Sequence, residues 1–243
     1  MRIIVVENYD ELSKRAAELF IDVLDAKKDA VVGLATGSTP IGLYNCLAEA
    51  YAAGRIDFSE VTSVNLDEYY PIAPDNDQSY RYFMNKNLFD KINIKKENTF
   101  VPDGMAKDAD AACKAYEEKI DALGGTDIQI LGIGRNGHIG FNEPDVNGLF
   151  ANTHLTALTE NTIEANARFF ASADEVPKHA LTMGIGSVFK ARKIIIMANG
   201  VDKADAIRKM VEGPISTMCP ASLLCLHPDV TLICDKSAYS LVK

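Results

Sequence analysis

The sequence lacks the marks of a disulfide-stabilised or zinc-binding protein. Its 243 residues include five cysteines and four histidines. The cysteines are odd in number and scattered, form no C-x-x-C pair and do not cluster with the histidines, which argues against disulfides and against a zinc site. We therefore expect reduced, mostly buried thiols in a cytoplasmic protein. These residues are Cys46, Cys113, Cys219, Cys225, Cys234, His138, His154, His179 and His227.

Basic runs and long apolar runs are also missing. The formal net charge is −9 and no segment reads as a basic helix, which argues against a nucleic-acid partner. An anionic small molecule is still permitted, because a phosphate site needs only a few local donors. No apolar stretch reaches membrane-spanning length, and the acidic residues that follow Val6 are not those of a signal peptide. We expect no membrane association.

The composition is that of an ordinary globular protein, 47% hydrophobic and 24% charged. No linker, repeat or low-complexity tract divides the chain, so we predict a single catalytic domain over residues 1–243. Strand-like and helix-like segments alternate, which predicts an α/β fold whose mainly parallel sheet carries helices on both faces. Strands are predicted over residues 2–7, 30–35, 61–66, 98–101, 127–133, 153–158, 193–198 and 230–234, and helices over 9–26, 41–53, 79–89, 108–123, 161–170, 202–211 and 219–226.

Four of the predicted strands end in polar or glycine-rich turns. These strands end at Ala35, Leu66, Ile133 and Ala198. Ligands of α/β folds bind beyond the carboxyl ends of the strands. If the four strands are neighbours in the sheet, their turns form one pocket.

The first turn, residues 36–40, follows a strand and opens a helix. Free N–H groups, the helix dipole and three hydroxyls suit a phosphate there. It is not a Walker loop, because no Gly-Lys-Ser/Thr follows. The alternative is a plain capping turn, with Thr39 as the N-cap and Pro40 in the first helical turn.

The second turn carries Asp67 and Glu68. A carboxylate at the carboxyl end of a strand is well placed to act as a general base. The alternative is a solvated turn acid or a helix cap, and the local sequence does not separate these interpretations.

The third turn, residues 132–144, contains four glycines. Gly132-x-Gly134-x-x-Gly137 spells the dinucleotide fingerprint, but that fingerprint lies in a first βα turn and opens a helix. Here it lies past the middle of the chain and Pro144 soon follows, so we do not expect a dinucleotide cofactor.

The same turn holds His138, Glu143 and Asn136. Histidine titrates near neutrality and is the natural proton carrier. Its place between glycines in a turn argues against a plain core histidine. Glu143 could hold the imidazole ring and tune its basicity, and Asn136 could add a hydrogen bond.

Two single basic residues, Arg168 and Lys203, lie in predicted helices. An Arg guanidinium makes bidentate hydrogen bonds to phosphate oxygens, and a Lys ammonium acts as a point charge. For either residue taken alone, surface solvation is the simpler explanation.

Four ordered motifs resemble those of the glucosamine-6-phosphate deaminase family, also called glucosamine-6-phosphate isomerases. They are LATGSTP at 34–40, NLDEY at 65–69, GRNGHIGFNEP at 134–144 and NARFF at 166–170, and the resemblance runs from Ala30 to about Asp235. It implies a Rossmann-like sheet and an enzyme of hydrolase or isomerase type. The implied reaction converts glucosamine 6-phosphate and water to fructose 6-phosphate and ammonium, in amino-sugar catabolism and N-acetylglucosamine utilisation.

The resemblance also implies roles for individual residues. His138, held by Glu143 with Asn136 beside it, would assist opening of the sugar ring. Asp67 would carry a proton from C2 to C1 through an enolamine, and water would hydrolyse the resulting imine. No metal and no organic cofactor is implied. The substrate phosphate, which anchors the reacting carbons, is expected at Thr36, Gly37, Ser38, Thr39, Arg168 and Lys203.

The chain departs from parts of the family pattern. Some relatives carry Asp where this chain has Asn136, so the charge that stabilises an imidazolium would come from Glu143 alone. Hexameric relatives regulated by N-acetylglucosamine 6-phosphate use basic residues after the Asn-Glu-Pro turn and a longer C-terminal tail. Residues 152–156 here are NTHLT and the sequence stops at Lys243, so we expect no such allosteric site and a monomer or small homo-oligomer.

Residues 159–183 resemble the lid of that family and carry Arg168. We expect phosphate binding to draw Arg168 inward and close the lid.

Two other functions compete with deamination. A 6-phosphogluconolactonase-like hydrolase shares the fold, but tends to carry Asp-Glu-Arg at the second motif and lacks Phe-Asn-Glu-Pro. Tyr69 and residues 141–144 argue against it. A non-catalytic sugar-phosphate-sensing domain has usually lost the catalytic acid or histidine, whereas this chain retains Asp67, His138 and Glu143.

Overall fold

The computed structural model describes residues 1–159, 163, 170 and 175–243. Its strands are β1 Arg2–Val6, β2 Val31–Leu34, β3 Thr62–Asn65, β4 Asp67–Tyr70, β5 Thr99–Phe100, β6 Ile128–Gly132, β7 His154–Ala157, β8 His179–Thr182, β9 Ile194–Ala198 and β10 Val230–Asp235. Its helices are α1 Tyr9–Ala26, α2 Ile41–Ala52, α3 Tyr80–Asn87, α4 Ala109–Ala122, α5 Ile185–Phe189, α6 Ala204–Glu212 and α7 Pro220–Leu223. Within these ranges, no helix combines the length and the apolar character needed to cross a bilayer.

The larger sheet has seven strands in the order β1-β10-β9-β6-β2-β3-β5, and every pairing is parallel. This confirms the predicted mainly parallel sheet. Strands β9, β6, β2 and β3 are consecutive neighbours. They are the four strands whose ends carry the polar or glycine-rich turns, so those turns lie side by side at one edge.

Helices cover both faces of this sheet, as predicted. Because side chains alternate along a strand, Ile130 and Leu131 of β6 point to opposite faces and lie in two separate apolar clusters. One cluster packs α1, α2 and α3 against the sheet, and the other packs α4, α5 and α6. Strands buried on both faces explain the near-continuous apolar runs of the sequence.

A second sheet corrects the prediction for residues 67–70. The sequence indicates a polar turn there, but β4 pairs antiparallel with β8, and β8 pairs antiparallel with β7. The polar strand β4 is buried at three of its four positions, because β8 and the surrounding side chains cover it. β7, predicted as a strand over residues 153–158, forms one edge of this sheet. β8 and the short helix α5 have no counterpart among the predicted elements.

The lid prediction, residues 159–183, falls largely outside the described residues. So does the predicted helix 161–170 with Arg168, of which Ile163 and Phe170 alone are described. The last residues of the segment form β8, which is held by hydrogen bonds on both sides.

Candidate functional site

Two polar contacts join the turns at the carboxyl edge of the sheet. The Thr39 hydroxyl, after β2, donates to Asn199 Oδ1 after β9 at 2.9 Å. Arg135 Nε, after β6, donates to Asp202 Oδ2 after β9 at 3.0 Å. The structure therefore brings the predicted site turns after β2, β6 and β9 together.

The turn after β2 is shaped to present N–H groups. Gly37 has a φ of +97°, a conformation that glycine adopts without strain. The Tyr9 hydroxyl lies 3.0 Å from the carbonyl of Ser38 and 3.1 Å from that of Thr39, and accepts the N–H of Gly42 at 2.7 Å. The carbonyls of the turn thus face Tyr9, and within the described residues no acceptor takes the N–H groups of Gly37, Ser38 or Thr39.

The predicted N-cap at Thr39 is wrong. Helix α2 has Pro40 at its N-cap position, with no side-chain cap bond, because the Thr39 hydroxyl is engaged by Asn199 from a neighbouring turn. The interpretation of residues 36–40 as a plain capping turn loses its main support.

Lys203 lies in the short 3₁₀ turn Val201–Lys203 that follows β9. Its side chain is mostly buried and its Nζ is 3.7 Å from Asp202 Oδ2. Burial lowers the pKa of Lys203, and the Asp202 carboxylate partly opposes that shift. Arg168, the other predicted phosphate ligand, lies outside the described residues.

Asp67 is buried, which rules out the alternative of a solvated turn acid. A Cβ built on Gly140, in the turn after β6, would lie 3.3 Å from its Oδ2, so the second and third turns also meet. No described N–H or O–H donates to this carboxylate. Burial, and to a smaller extent the charge of Glu68, raises the pKa of Asp67 to about 8. Desolvation without hydrogen bonds is what makes a carboxylate a strong base.

His138, Glu143 and Asn136 form a contiguous group. His138 Nδ1 lies 3.1 Å from Glu143 Oε1, and Asn136 Nδ2 donates to Glu143 Oε2 at 2.6 Å. Asn136 Oδ1 also accepts the backbone N–H of His138 at 3.2 Å. Gly137, with a φ of +88°, makes this tight turn attainable. The three predicted residues are together, and their roles stay predictions.

Aromatic side chains border the site, and their arrangement is not evident from the sequence. The Tyr80 ring lies 4.8 Å from Tyr69 and 6.2 Å from Phe141, with the latter pair nearly parallel. Phe170 meets Tyr69 edge-on at 5.9 Å. Tyr80 lies on α3, remote in sequence from the four turns, and no local motif marks it.

Among the described residues, no group of His, Cys, Asp or Glu side chains has the arrangement of a metal site.

The sequence matches the family model of glucosamine-6-phosphate isomerases/6-phosphogluconolactonase over residues 7–233. A relative from Halothermothrix orenii is 57% identical over 242 residues, covering 100% of both chains. One from Clostridium perfringens is 53% identical over 243 residues, again covering 100% of both. A third, from Thermoanaerobacter pseudethanolicus, is 54% identical and covers 95% of that relative. All three are named glucosamine-6-phosphate deaminase.

Solved structures show the same similarity. A structure described as a monomeric glucosamine-6-phosphate deaminase matches with a TM-score of 0.96 and 47% identity, over 99% of this chain and 100% of that one. The 6-phosphogluconolactonase of Trypanosoma cruzi matches with a TM-score of 0.78 and 20% identity, over 100% of this chain and 97% of that one. The second match supports the fold alone.

Proposed function

The chain belongs to the family of glucosamine-6-phosphate isomerases and 6-phosphogluconolactonases, and we propose that it converts glucosamine 6-phosphate and water to fructose 6-phosphate and ammonium. The observation that carries this proposal is the buried Asp67 carboxylate beside the turn that holds His138 and Glu143. Close relatives named deaminase favour this reaction over lactone hydrolysis. The family model describes isomerases and these relatives are named deaminases, so the hydrolase class in the sequence prediction is not supported.

Ring opening is the first step of the proposed reaction. It needs a proton moved at the ring oxygen, and an imidazole near neutrality can give or take one. Glu143 stabilises the protonated ring, because its carboxylate lies at ion-pair distance from Nδ1. Asn136 holds that carboxylate in place from the other side.

Proton transfer between C2 and C1 is the second step. Asp67 takes the C2 proton, forming the enolamine, and returns it to C1, forming the imine that water hydrolyses. A carboxylate whose pKa is raised by burial binds that proton more strongly than a solvated one. The cationic amino group of the substrate favours the ionised form of Asp67 when it binds beside it.

The substrate phosphate binds at the turn after β2. It would accept hydrogen bonds from the N–H groups of Gly37, Ser38 and Thr39 and from the hydroxyls of Thr36, Ser38 and Thr39, and it would pair with Lys203. Arg168 is included as a further phosphate ligand on the basis of the sequence pattern alone. A dianion held there anchors the sugar while its reacting carbons lie between Asp67 and His138.

Ammonium and fructose 6-phosphate formation from glucosamine 6-phosphate tests the proposal, with 6-phosphogluconolactone hydrolysis as the competing assay. Asp67→Asn should abolish ammonium release, whereas Asp90→Asn, which removes one charge from the exposed surface, should not change it. No ammonium from the unmodified protein, or full activity of Asp67→Asn, would overturn it.

We further infer a cytoplasmic enzyme that works as a monomer or small homo-oligomer without nucleic-acid partners. The solved relative at 47% identity is described as monomeric, which supports a monomer. Light scattering measures the mass. Sigmoidal kinetics relieved by N-acetylglucosamine 6-phosphate would contradict the expected absence of allosteric activation.

A further inference from the structure

Glu68 is a buried carboxylate for which the proposed reaction has no use. It is 2% exposed and follows Asp67 in β4, so its side chain points to the opposite face of that strand. Its Oε1 accepts the backbone N–H of Tyr69 at 2.9 Å and of Tyr80 at 2.8 Å, and its Oε2 accepts that of Arg81 at 2.9 Å. Donors from three different residues converge on one carboxylate.

Two of these donors are the first N–H groups of helix α3. Ser79 is the N-cap and its hydroxyl accepts the third, that of Tyr82, at 3.0 Å. Glu68 therefore supplies the acceptors that the N-terminus of a helix lacks, and the helix dipole favours its negative charge. The nearby Arg81 guanidinium is engaged by Thr99 at 2.7 and 2.8 Å, so the backbone carries most of the interaction with Glu68.

The hydrogen bonds of Glu68, which we call the Glu68 clamp, hold strand β4 and the N-terminus of helix α3 together. Strand β4 carries Asp67, and α3 carries Tyr80, whose ring lies nearly parallel to that of Phe141. Phe141 follows Gly140, the residue that approaches Asp67. A shift of α3 along β4 would move the Tyr80 ring relative to Asp67.

The charge of Glu68 also acts on Asp67. Within the part of the chain that the structure describes, Glu68 is the one charged group among the causes that raise the pKa of Asp67, second to burial. The other titratable groups coupled to Asp67 are phenols from α2, α3 and α4 whose own pKa burial raises, so they are neutral: Tyr44, Tyr80 and Tyr116. Arg81 is the cation that faces Glu68.

We propose that Glu68 is a positioning residue for the reaction at Asp67: it clamps the N-terminus of α3 to β4 and places a second buried carboxylate beside the base. The proposal rests on the proposed function, because it needs Asp67 to be the base. It predicts a change in the protonation of Asp67 that a purely structural carboxylate would not cause.

The acid limb of the pH profile of kcat/KM tests this, because it reports the ionisation of the base in the free enzyme. Glu68→Gln removes the charge and leaves one amide nitrogen facing an N–H. We expect the midpoint of the acid limb to move to lower pH by about half a unit or more, since a like charge one residue away is removed. Glu68→Asp keeps the charge but is too short for all three donors, so it should lower kcat about 10-fold while leaving the midpoint in place.

Glu117→Gln is the matched control. Glu117 is also a buried carboxylate, held by Thr153, Ser187 and Lys190, but it is not among the groups that shift the pKa of Asp67. The Glu117→Gln variant should have lower thermal stability but an unchanged midpoint of the acid limb. An unchanged midpoint in Glu68→Gln, or an equal shift in Glu117→Gln, would overturn the proposal.

A second measurement does not require Glu68→Gln to fold or the enzyme to turn over. Burial raises the pKa of Glu68 to about 7, so the two groups titrate over neighbouring pH ranges. Coupling between two titrating groups is reciprocal, so the carboxyl ¹³C resonance of Glu68 should titrate over a broader pH range in the unmodified protein than in Asp67→Asn. Identical titrations would reject the coupling even if the protein deaminates its substrate. Absence of ammonium from the unmodified protein would instead reject the proposed function.

Discussion

Gly134 gives a single-methyl test of the position of His138. A Cβ at Gly134 would lie 2.4 Å from Cδ2, Cε1 and Nε2 of the His138 ring. Gly134 has no positive φ, so alanine fits its backbone and the clash with the ring is the main effect. Ordinary contact requires the ring to retreat by about 1 Å, which moves Nδ1 from its present position 3.1 Å from Glu143 Oε1.

Lengthening this ion-pair contact from 3.1 Å by about 1 Å weakens it by about 1.3 kcal/mol at an effective dielectric constant of about 20. If the contact stabilises the protonated ring during ring opening, Gly134→Ala should lower kcat/KM about 10-fold. Gly132→Ala is the control, because a Cβ there meets no atom within 4 Å. The assay is ammonium release, with thermal unfolding to confirm that both variants fold. The reasoning fails if Gly134→Ala keeps near-normal activity, or if Gly132→Ala loses as much.

Three further predictions follow from charges at the site. The pKa of Asp67 in the folded protein is about 8, above its ordinary value, so folding takes up a proton and the free energy of unfolding falls as pH rises from about 4 to 8. Asp67→Asn should therefore raise the Tm by several degrees at pH 8. An unchanged Tm would contradict this. Asp202→Asn removes the carboxylate that lies 3.7 Å from Lys203 Nζ and competes with the substrate phosphate for it. KM should fall about 2- to 5-fold at low salt, and the difference from the unmodified protein should shrink as salt rises. A salt-independent KM would refute this. Asn136→Asp places a carboxylate where an amide nitrogen now lies 2.6 Å from Glu143 Oε2. Because the two carboxylates cannot both ionise freely, they should share a proton, and the pH profile of kcat/KM should show an ionisation in addition to that of Asp67. A profile identical to that of the unmodified protein would count against the contact.

The main sheet could be predicted because its strands are buried on both faces and therefore read as apolar runs. Strand β4 could not, since Asp67–Tyr70 carries two acids and two tyrosines and its burial comes from β8 and the aromatic rings around it. Helix α5 is too short, at five residues, to show a helical period in the sequence.

The site shows the same division. The turns could be identified because each follows a strand and concentrates glycine or polar side chains. Their cross-links could not, because Thr39 bonds to Asn199 and Arg135 to Asp202 across 160 and 67 residues. Propensity assigns Thr39 to a cap, and tertiary contact decides otherwise.

The two carboxylates proposed for catalysis lie in contrasting surroundings, which explains how they could do different work at one pH. Asp67 is buried and receives no described hydrogen bond, so burial raises its pKa and it can hold a proton taken from carbon. Glu143 accepts the Asn136 amide and faces an imidazole, so its carboxylate is placed to stabilise a protonated His138. In this arrangement the neutral Asn136 is an advantage: it donates to Glu143 without adding a second negative charge beside His138.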